Sequence, residues 1–119
     1  MKKILVIEDE PHISKLVRVI LEKNGFAVLQ AFVGIEGIEI ARKEKPGLII
    51  LDVMMPKMDG FEVCRLLAAG ETKDIPVIML SSAAQFRDRM RGIDAGAVEY
   101  ITKPFDKNEL ILKVREHLR

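Results

Sequence analysis

The stretch Leu48-Ile49-Ile50-Leu51-Asp52-Val53-Met54-Met55-Pro56 decides the fold. Its four consecutive apolar residues, 48–51, are typical of a strand that is buried on both faces in the middle of a parallel sheet. The apolar run stops at Asp52, and an aspartate is rarely buried unless another group pairs with it. The rest of the sequence therefore has to supply whatever Asp52 meets at the end of this strand.

Short apolar runs alternate with segments of helical periodicity along the whole chain. The apolar runs predict strands at 4–7, 26–32, 48–51, 76–80 and 97–101. Predicted helices begin at Pro11, at Gly34, after an Asp59 cap, at Ala83 and after an Asp106 cap. Five strands that alternate with five helices predict an α/β fold, with a doubly wound five-stranded parallel sheet in the order 2-1-3-4-5.

Three of the predicted helices carry clear apolar faces, which should pack on the sheet. These faces are Ile13, Leu16, Val17, Ile20 and Leu21 in the first helix, Phe61, Cys64, Leu67 and Ala68 in the third, and Leu110, Ile111, Val114 and Leu118 in the last.

Composition narrows the class of protein. The 119 residues are enough for one domain, 1–119, with 19 basic and 18 acidic side chains and a net charge of +1. This balance gives no electrostatic footprint for direct binding of nucleic acid or of an anionic membrane. The N-terminal apolar run is only four residues long before the acidic Glu8, which is too short for a secretory signal peptide. The single Cys64 excludes an internal disulfide and suits a reducing compartment. We therefore expect a cytoplasmic protein with no membrane span.

Polar side chains follow four of the five predicted strands. Glu8-Asp9-Glu10 ends the first strand, Asp52 the third, Ser81-Ser82 the fourth and Lys103 the fifth. In the predicted order these strand ends meet at one crevice. One lysine is too little to neutralise several neighbouring carboxylates, so we expect a hard cation at this site, which favours Mg²⁺. A cation, a lysine and a hydroxyl around a free carboxylate can hold a phosphoryl group while the carboxylate attacks in line.

Four segments, 4–10, 51–60, 76–81 and 96–105, resemble the receiver domain of bacterial two-component response regulators. The resemblance covers essentially the whole chain and implies a single receiver domain, 1–119, with a flavodoxin-like (βα)5 fold and no output domain in this chain. By this resemblance Asp52 accepts a phosphoryl group from a sensor histidine kinase or a histidine phosphotransfer protein. Asp9 and Glu8 would bind Mg²⁺, or Mn²⁺ as a substitute, together with Asp52 and the backbone carbonyl of Met54.

The resemblance also assigns the phosphoryl contacts and the switch. Lys103 and the Ser81 hydroxyl would contact the phosphoryl oxygens, with backbone contacts from Met54 and Ser82. Ser81 would then move inward and Tyr100 would turn from outward to inward. The surface formed by the fourth helix, fifth strand and fifth helix would change its preference for a downstream protein or for the protein's own output domain. The domain would not be an enzyme, although it assists its own phosphorylation and dephosphorylation.

Several residues depart from the family pattern or leave alternatives open. Met54 and Ala83 are apolar where family members often carry polar side chains that steer hydrolytic water, which predicts a long-lived phospho-Asp52. Four charged residues retain part of the family's dimer pattern: Arg91, Glu99, Glu109 and Arg115. They indicate either a phosphorylation-favoured homodimer or a solvated surface.

Three alternative functions can be compared with that of a phosphoacceptor. A pseudo-receiver would work as a docking module without phosphorylation, but every acceptor-site residue is present. An aspartyl phosphohydrolase would need a second acid two residues after its nucleophile, where this chain has Met54. A flavin carrier with the same sheet order would need a phosphate loop rich in glycine and hydroxyl groups after the first strand, where this chain has three acids and Pro11.

Overall fold

A computed structural model describes residues 2–55, 58–81 and 95–118. Its strands are β1 (Lys3–Ile7), β2 (Ala27–Ala31), β3 (Leu48–Asp52), β4 (Val77–Ser81) and β5 (Glu99–Thr102). Its helices are α1 (Pro11–Lys23), α2 (Gly34–Glu44), α3 (Gly60–Leu67) and α4 (Lys107–His117), with a 3₁₀ turn at Gly70–Thr72. The predicted helix at 83–94 lies outside the described residues, so α4 is the last of the predicted helices.

The five strands form one parallel sheet in the order β2-β1-β3-β4-β5, which confirms the predicted fold class and strand order. β3 lies at the centre, and all five of its residues are buried. β2 lies at one edge, where most of its residues are half-buried. The apolar run at 48–51 therefore occupies the position that its two-sided hydrophobicity predicts.

Each face of the sheet is covered by a pair of described helices. α2 and α3 pack on one face, against a core that includes Leu5, Ile49 and Met79. α1 and α4 pack on the other face, against a core that includes Val6 and Ile50. Burial of these alternate strand residues on opposite faces is the main stabilising contribution that the sequence pattern specifies.

Some predicted faces and boundaries differ from the structure. Leu16 was expected in the buried stripe of α1 but is 48% exposed, whereas Ser14 is fully buried and accepts a hydrogen bond from Gln30 Nε2 at 2.8 Å. Ala68 is exposed because α3 ends at Leu67. β5 begins at Glu99 rather than at residue 97.

None of the described helices combines the length and the apolarity needed to cross a membrane.

Candidate functional site

Strand alternation brings three charged side chains together. Alternate residues of β1, β3 and β5 face the side of the sheet that α1 and α4 cover. The next residue of this alternation is Glu8 just after β1, Asp52 at the end of β3 and Lys103 just after β5. Because successive side chains of a strand alternate between faces, these three emerge on the same side, at the carboxyl edge of the sheet.

A half-buried lysine bridges two buried carboxylates. Lys103 Nζ lies 2.9 Å from Glu8 Oε1 and 3.0 Å from Asp52 Oδ1. Glu8 is fully buried and Asp52 is 3% exposed, while the Lys103 side chain retains 18% exposure. These contacts join residues that are 95 and 51 positions apart in sequence, so they form only when the sheet is assembled.

The site carries more negative charge than Lys103 balances. Burial raises the pKa of Glu8 from 4.5 to about 7; Lys103 opposes this shift and the Asp52 carboxylate adds to it. Burial also raises the pKa of Asp52 above 3.8, although Lys103 and the Met54 N–H donate hydrogen bonds to this carboxylate and oppose the shift. Burial alone would lower the pKa of Lys103, but the hydrogen bonds and negative charges of Glu8 and Asp52 have the larger effect, so the pKa is raised.

The donor set fits a divalent metal. Carboxylate oxygens of Glu8, Asp9 and Asp52 lie within 4.8 Å of one another, and Asp9 is the half-buried member on the solvent side. Oxygen donors alone suit hard cations such as Mg²⁺ and Mn²⁺. Burial is the main cause of the raised pKa of Glu8 and the Asp52 carboxylate adds to it, and a divalent cation would favour the ionised form of both groups.

The other residues with predicted roles at the site lie in or near the ends of β3, β4 and β5. Met54 lies two residues beyond Asp52, and its side chain is 70% exposed. Ser81 is buried at the end of β4, where its carbonyl accepts a hydrogen bond from the Lys103 N–H. The Lys103–Pro104 bond is cis. Tyr100 is half-buried and packs on the core beneath α2 and α3.

The interface candidates do not all lie together among the described residues. The Glu99 carboxylate is 3.3 Å from Lys113 Nζ and 3.1 Å from His117 Nε2, both on α4. Glu109 is exposed, and Arg115 Nη2 lies 3.5 Å from Asn24 Oδ1. Three residues with predicted roles, Ser82, Ala83 and Arg91, lie outside the described residues. The His117 side chain that contacts Glu99 is 27% exposed.

Gly60 helps to shape the site, and the sequence pattern did not predict this role. It occupies the first position of α3, and its N–H donates to the Val53 carbonyl at 2.8 Å. A Cβ at this position would lie 2.7 Å from Val53 Cα and closer still to the Asp52 carbonyl oxygen. The start of α3 therefore rests directly on the main chain that carries Asp52. The only available signal was a glycine at a helix start, where a better helix former would be expected.

Comparisons with known proteins agree with this geometry. The family described as the response regulator receiver domain matches residues 4–115. The DNA-binding dual master transcriptional regulator RpaA of Synechocystis is 49% identical over 120 residues, which cover 100% of this chain and 50% of RpaA. The chain spans about half the length of the curated relatives it matches.

Solved structures of similar fold include two receiver-type proteins. The chemotaxis protein CheY4 of Vibrio cholerae has a TM-score of 0.93 at 30% identity, covering 99% of both chains. The receiver domain of the sensor histidine kinase PA1611 from Pseudomonas aeruginosa has a TM-score of 0.91 at 28% identity, covering 98% of this chain and 96% of that one. That structure has a magnesium ion coordinated in its active-site cleft.

Proposed function

Because this chain belongs to the response regulator receiver domain family, we propose that it is a phosphorylation-activated switch whose phosphoacceptor is Asp52. Receiver domains of this family act in two-component systems with histidine kinases and output domains. The observation that carries the proposal is the contact of Lys103 Nζ with both Glu8 and Asp52, at the centre of the carboxyl edge. We propose a cytoplasmic location, and a role as acceptor rather than as enzyme.

The chemistry is transfer of a phosphoryl group to a carboxylate. A carboxylate oxygen of Asp52 attacks the phosphorus of a phosphohistidine on a sensor kinase or phosphotransfer protein. The new P–O bond forms as the P–N bond breaks, and the imidazole nitrogen keeps the electron pair. Lys103 holds the transferred oxygens, with the Ser81 hydroxyl and the Met54 N–H as further donors. Lys103 already contacts Asp52 and therefore needs no reorganisation during the transfer.

Glu8, Asp9, Asp52 and the Met54 carbonyl are the groups that would hold Mg²⁺ or Mn²⁺. When bound, the metal supplies charge neutralisation for the phosphoryl oxygens. This assignment rests on the close carboxylate oxygens and on the unbalanced charge of the site.

The output is a change of surface at β5 and its neighbours. A dianionic phosphoryl group adds about two negative charges beside Ser81 and Lys103. We propose that Ser81 moves toward this charge and that Tyr100 follows. The neighbouring Glu99, which contacts α4, would carry the change to the surface that binds a downstream protein, a second copy or an output domain.

Intact-mass spectrometry tests the acceptor assignment. The protein incubated with Mg²⁺ and acetyl phosphate should gain one group of about 80 Da, and Asp52→Asn should gain none. Asp59→Asn is the matched control, because Asp59 is an aspartate in the next loop that caps α3 by accepting from the Glu62 N–H at 2.9 Å, and asparagine also caps helices. This variant should be labelled like the wild type.

Two results would contradict the proposal. Labelling of Asp52→Asn would place the phosphoryl group elsewhere. The second result is a folded wild-type protein that gains no adduct and whose circular dichroism and amide exchange do not change when beryllofluoride is added. This result would indicate a docking module that works without phosphorylation.

A further inference from the structure

A histidine and two glutamates converge at the carboxyl end of α4. Among the described residues, two groups of side chains place three possible metal-ligand atoms within 4.8 Å of one another. One group is the phosphoacceptor crevice, and the other consists of Glu99, Glu116 and His117. Glu99 begins β5, and the other two are the last residues of α4. We call these three residues the helix-end cluster, and none of them belongs to the crevice around Asp52.

The spacing of these ligand atoms fits a tetrahedral metal ion. His117 Nε2 lies 3.1 Å from Glu99 Oε2 and 3.9 Å from Glu116 Oε2. Two ligand atoms that are each about 2.0–2.1 Å from a tetrahedral ion lie about 3.3–3.4 Å from each other. The two observed separations bracket this value, so side-chain shifts of about half an ångström would bring all three groups onto one ion. A fourth position remains for water.

The mixture of ligand types determines which metal the helix-end cluster prefers. Imidazole together with carboxylates suits Zn²⁺ and neighbouring transition metals, whereas Mg²⁺ prefers oxygen ligands alone. The crevice offers only carboxylate oxygens, while the helix-end cluster adds the ring nitrogen of His117. This nitrogen, Nε2, binds a metal when the neutral ring carries its proton on Nδ1. The two groups should therefore select different ions.

Charge at this end of α4 also favours a cation. The last carbonyl groups of a helix carry partial negative charge, to which the two glutamates add. Lys113 Nζ lies 3.3 Å from Glu99 Oε2, the same oxygen that His117 Nε2 contacts. Lys113 is therefore the cation that a metal ion has to displace. The side chains of Glu99 and His117 are 25% and 27% exposed, so an ion can reach them from solvent.

We propose that the helix-end cluster is a second metal site, which binds Zn²⁺ through His117 Nε2 and carboxylate oxygens of Glu99 and Glu116. Water completes the tetrahedral coordination. The site is separate from the metal chemistry proposed for Asp52 and does not rest on it. A bound ion joins β5 to the end of α4, because its ligands come from both elements.

Zinc titration followed by NMR of the histidine rings tests this inference. The chain, prepared without a tag, contains two histidines, so isotope labelling of their ring nitrogens gives two sets of signals. His12 is exposed on α1 and serves as the internal control. Excess Mg²⁺ is present to occupy the crevice. Zn²⁺ should shift the Nε2 signal of His117 and leave the ring signals of His12 unchanged.

Four variants separate coordination from a general effect of charge, with zinc affinity measured by calorimetry. Glu99→Gln and Glu116→Gln should each weaken binding about tenfold or more, the effect of losing about 1.4 kcal/mol. Glu109→Gln is the matched control, because it removes an exposed glutamate of the same helix outside the cluster and should leave the affinity unchanged. Lys113→Gln removes the competing cation and should strengthen binding about two- to fivefold, which corresponds to about 0.5–1 kcal/mol.

Each outcome decides the question. A zinc-induced shift of His117, weakened by loss of either glutamate and not by Glu109→Gln, would establish the site. A shift of His117 that keeps its full affinity in Glu99→Gln and Glu116→Gln would overturn the inference, because it would show binding to the imidazole alone. Zinc that shifts only His12, or that Mg²⁺ displaces completely, would assign binding to the crevice and would also overturn it. Circular dichroism checks that each variant is folded, and the Glu116 side chain is 47% exposed, so its replacement tests coordination without disturbing the core.

Discussion

Replacing Gly60 by alanine should destabilise the protein and disturb Asp52 together. The new Cβ would lie 2.7 Å from Val53 Cα and 3.0 Å from the Asp52 carbonyl carbon. These atoms belong to the main chain, which cannot move aside as a side chain can. The end of β3 is held by the hydrogen bond from the Val53 N–H to the Leu80 carbonyl, at 2.9 Å. Phe61 is 1% exposed and holds the start of α3 in the core.

The expected size of the effect follows from two opposing contributions. Forcing one extra carbon into a packed region costs about 1–3 kcal/mol, and more where the backbone has to shift. Alanine recovers up to about 1 kcal/mol through its higher helix propensity. The free energy of unfolding should therefore fall by about 2 kcal/mol, which is a substantial part of the roughly 5–15 kcal/mol of a typical domain.

Urea unfolding followed by far-UV circular dichroism measures this loss, since the chain has no tryptophan. Gly34→Ala is the matched control, because Gly34 is also the first residue of its helix. Its added Cβ would meet a side-chain methyl group, Val63 Cγ2, at 2.7 Å. This variant should lose less stability than Gly60→Ala and should keep the acetyl phosphate labelling rate. Unchanged stability in Gly60→Ala would refute the reasoning.

Three further predictions concern a thiol, an ion pair and the phosphoryl group. Burial raises the pKa of the Cys64 thiol to about 11, so an aromatic disulfide reagent should label only the urea-unfolded chain at about pH 8; fast labelling of native protein would contradict this. Burial raises the pKa of Glu99, but hydrogen bonds from its two α4 partners outweigh burial and hold the pKa below 4.5. The ionised Glu99 therefore stabilises the fold above that value, and this contribution disappears as pH falls through the folded-state pKa. Glu99→Gln should cost about 0.5–1 kcal/mol at about pH 7 and nothing at about pH 2; an equal cost at both values would exclude the ion pair as its cause. Phospho-Asp52 should persist for minutes or longer, because the exposed Met54 cannot orient water; a half-life of seconds with Mg²⁺ present would show otherwise.

Much of the fold could be predicted because its signals are local. An uninterrupted apolar run at 48–51 predicts a central strand, and a polar residue just after a strand lies at the carboxyl edge whatever the details of packing. Glu8, Asp52 and Lys103 were therefore placed in one crevice from their positions in three strands. Their contact through Lys103 Nζ follows from strand order and alternation.

The missed features depend on distances that no local pattern contains. The role of Gly60 arises from how closely α3 approaches the end of β3. Leu16 has the helical spacing of a buried residue, but the buried residues of α1 are Ser14, Val17 and Leu21. Leu16 lies off the face that these three residues share and is 48% exposed. Glu99 meets His117 across 18 residues, a contact set by how α4 lies beside β5.

Chemical trapping of the phosphoryl group tests the assignment of Asp52 most directly. After incubation with Mg²⁺ and acetyl phosphate, borohydride reduces an aspartyl phosphate to homoserine, and tandem mass spectrometry of the digested chain locates that residue. We predict homoserine at position 52 alone, formed with Mg²⁺ and absent when the metal is chelated. Homoserine at Asp9 or Asp59, or a phosphorylated chain with none at position 52, would contradict the assignment.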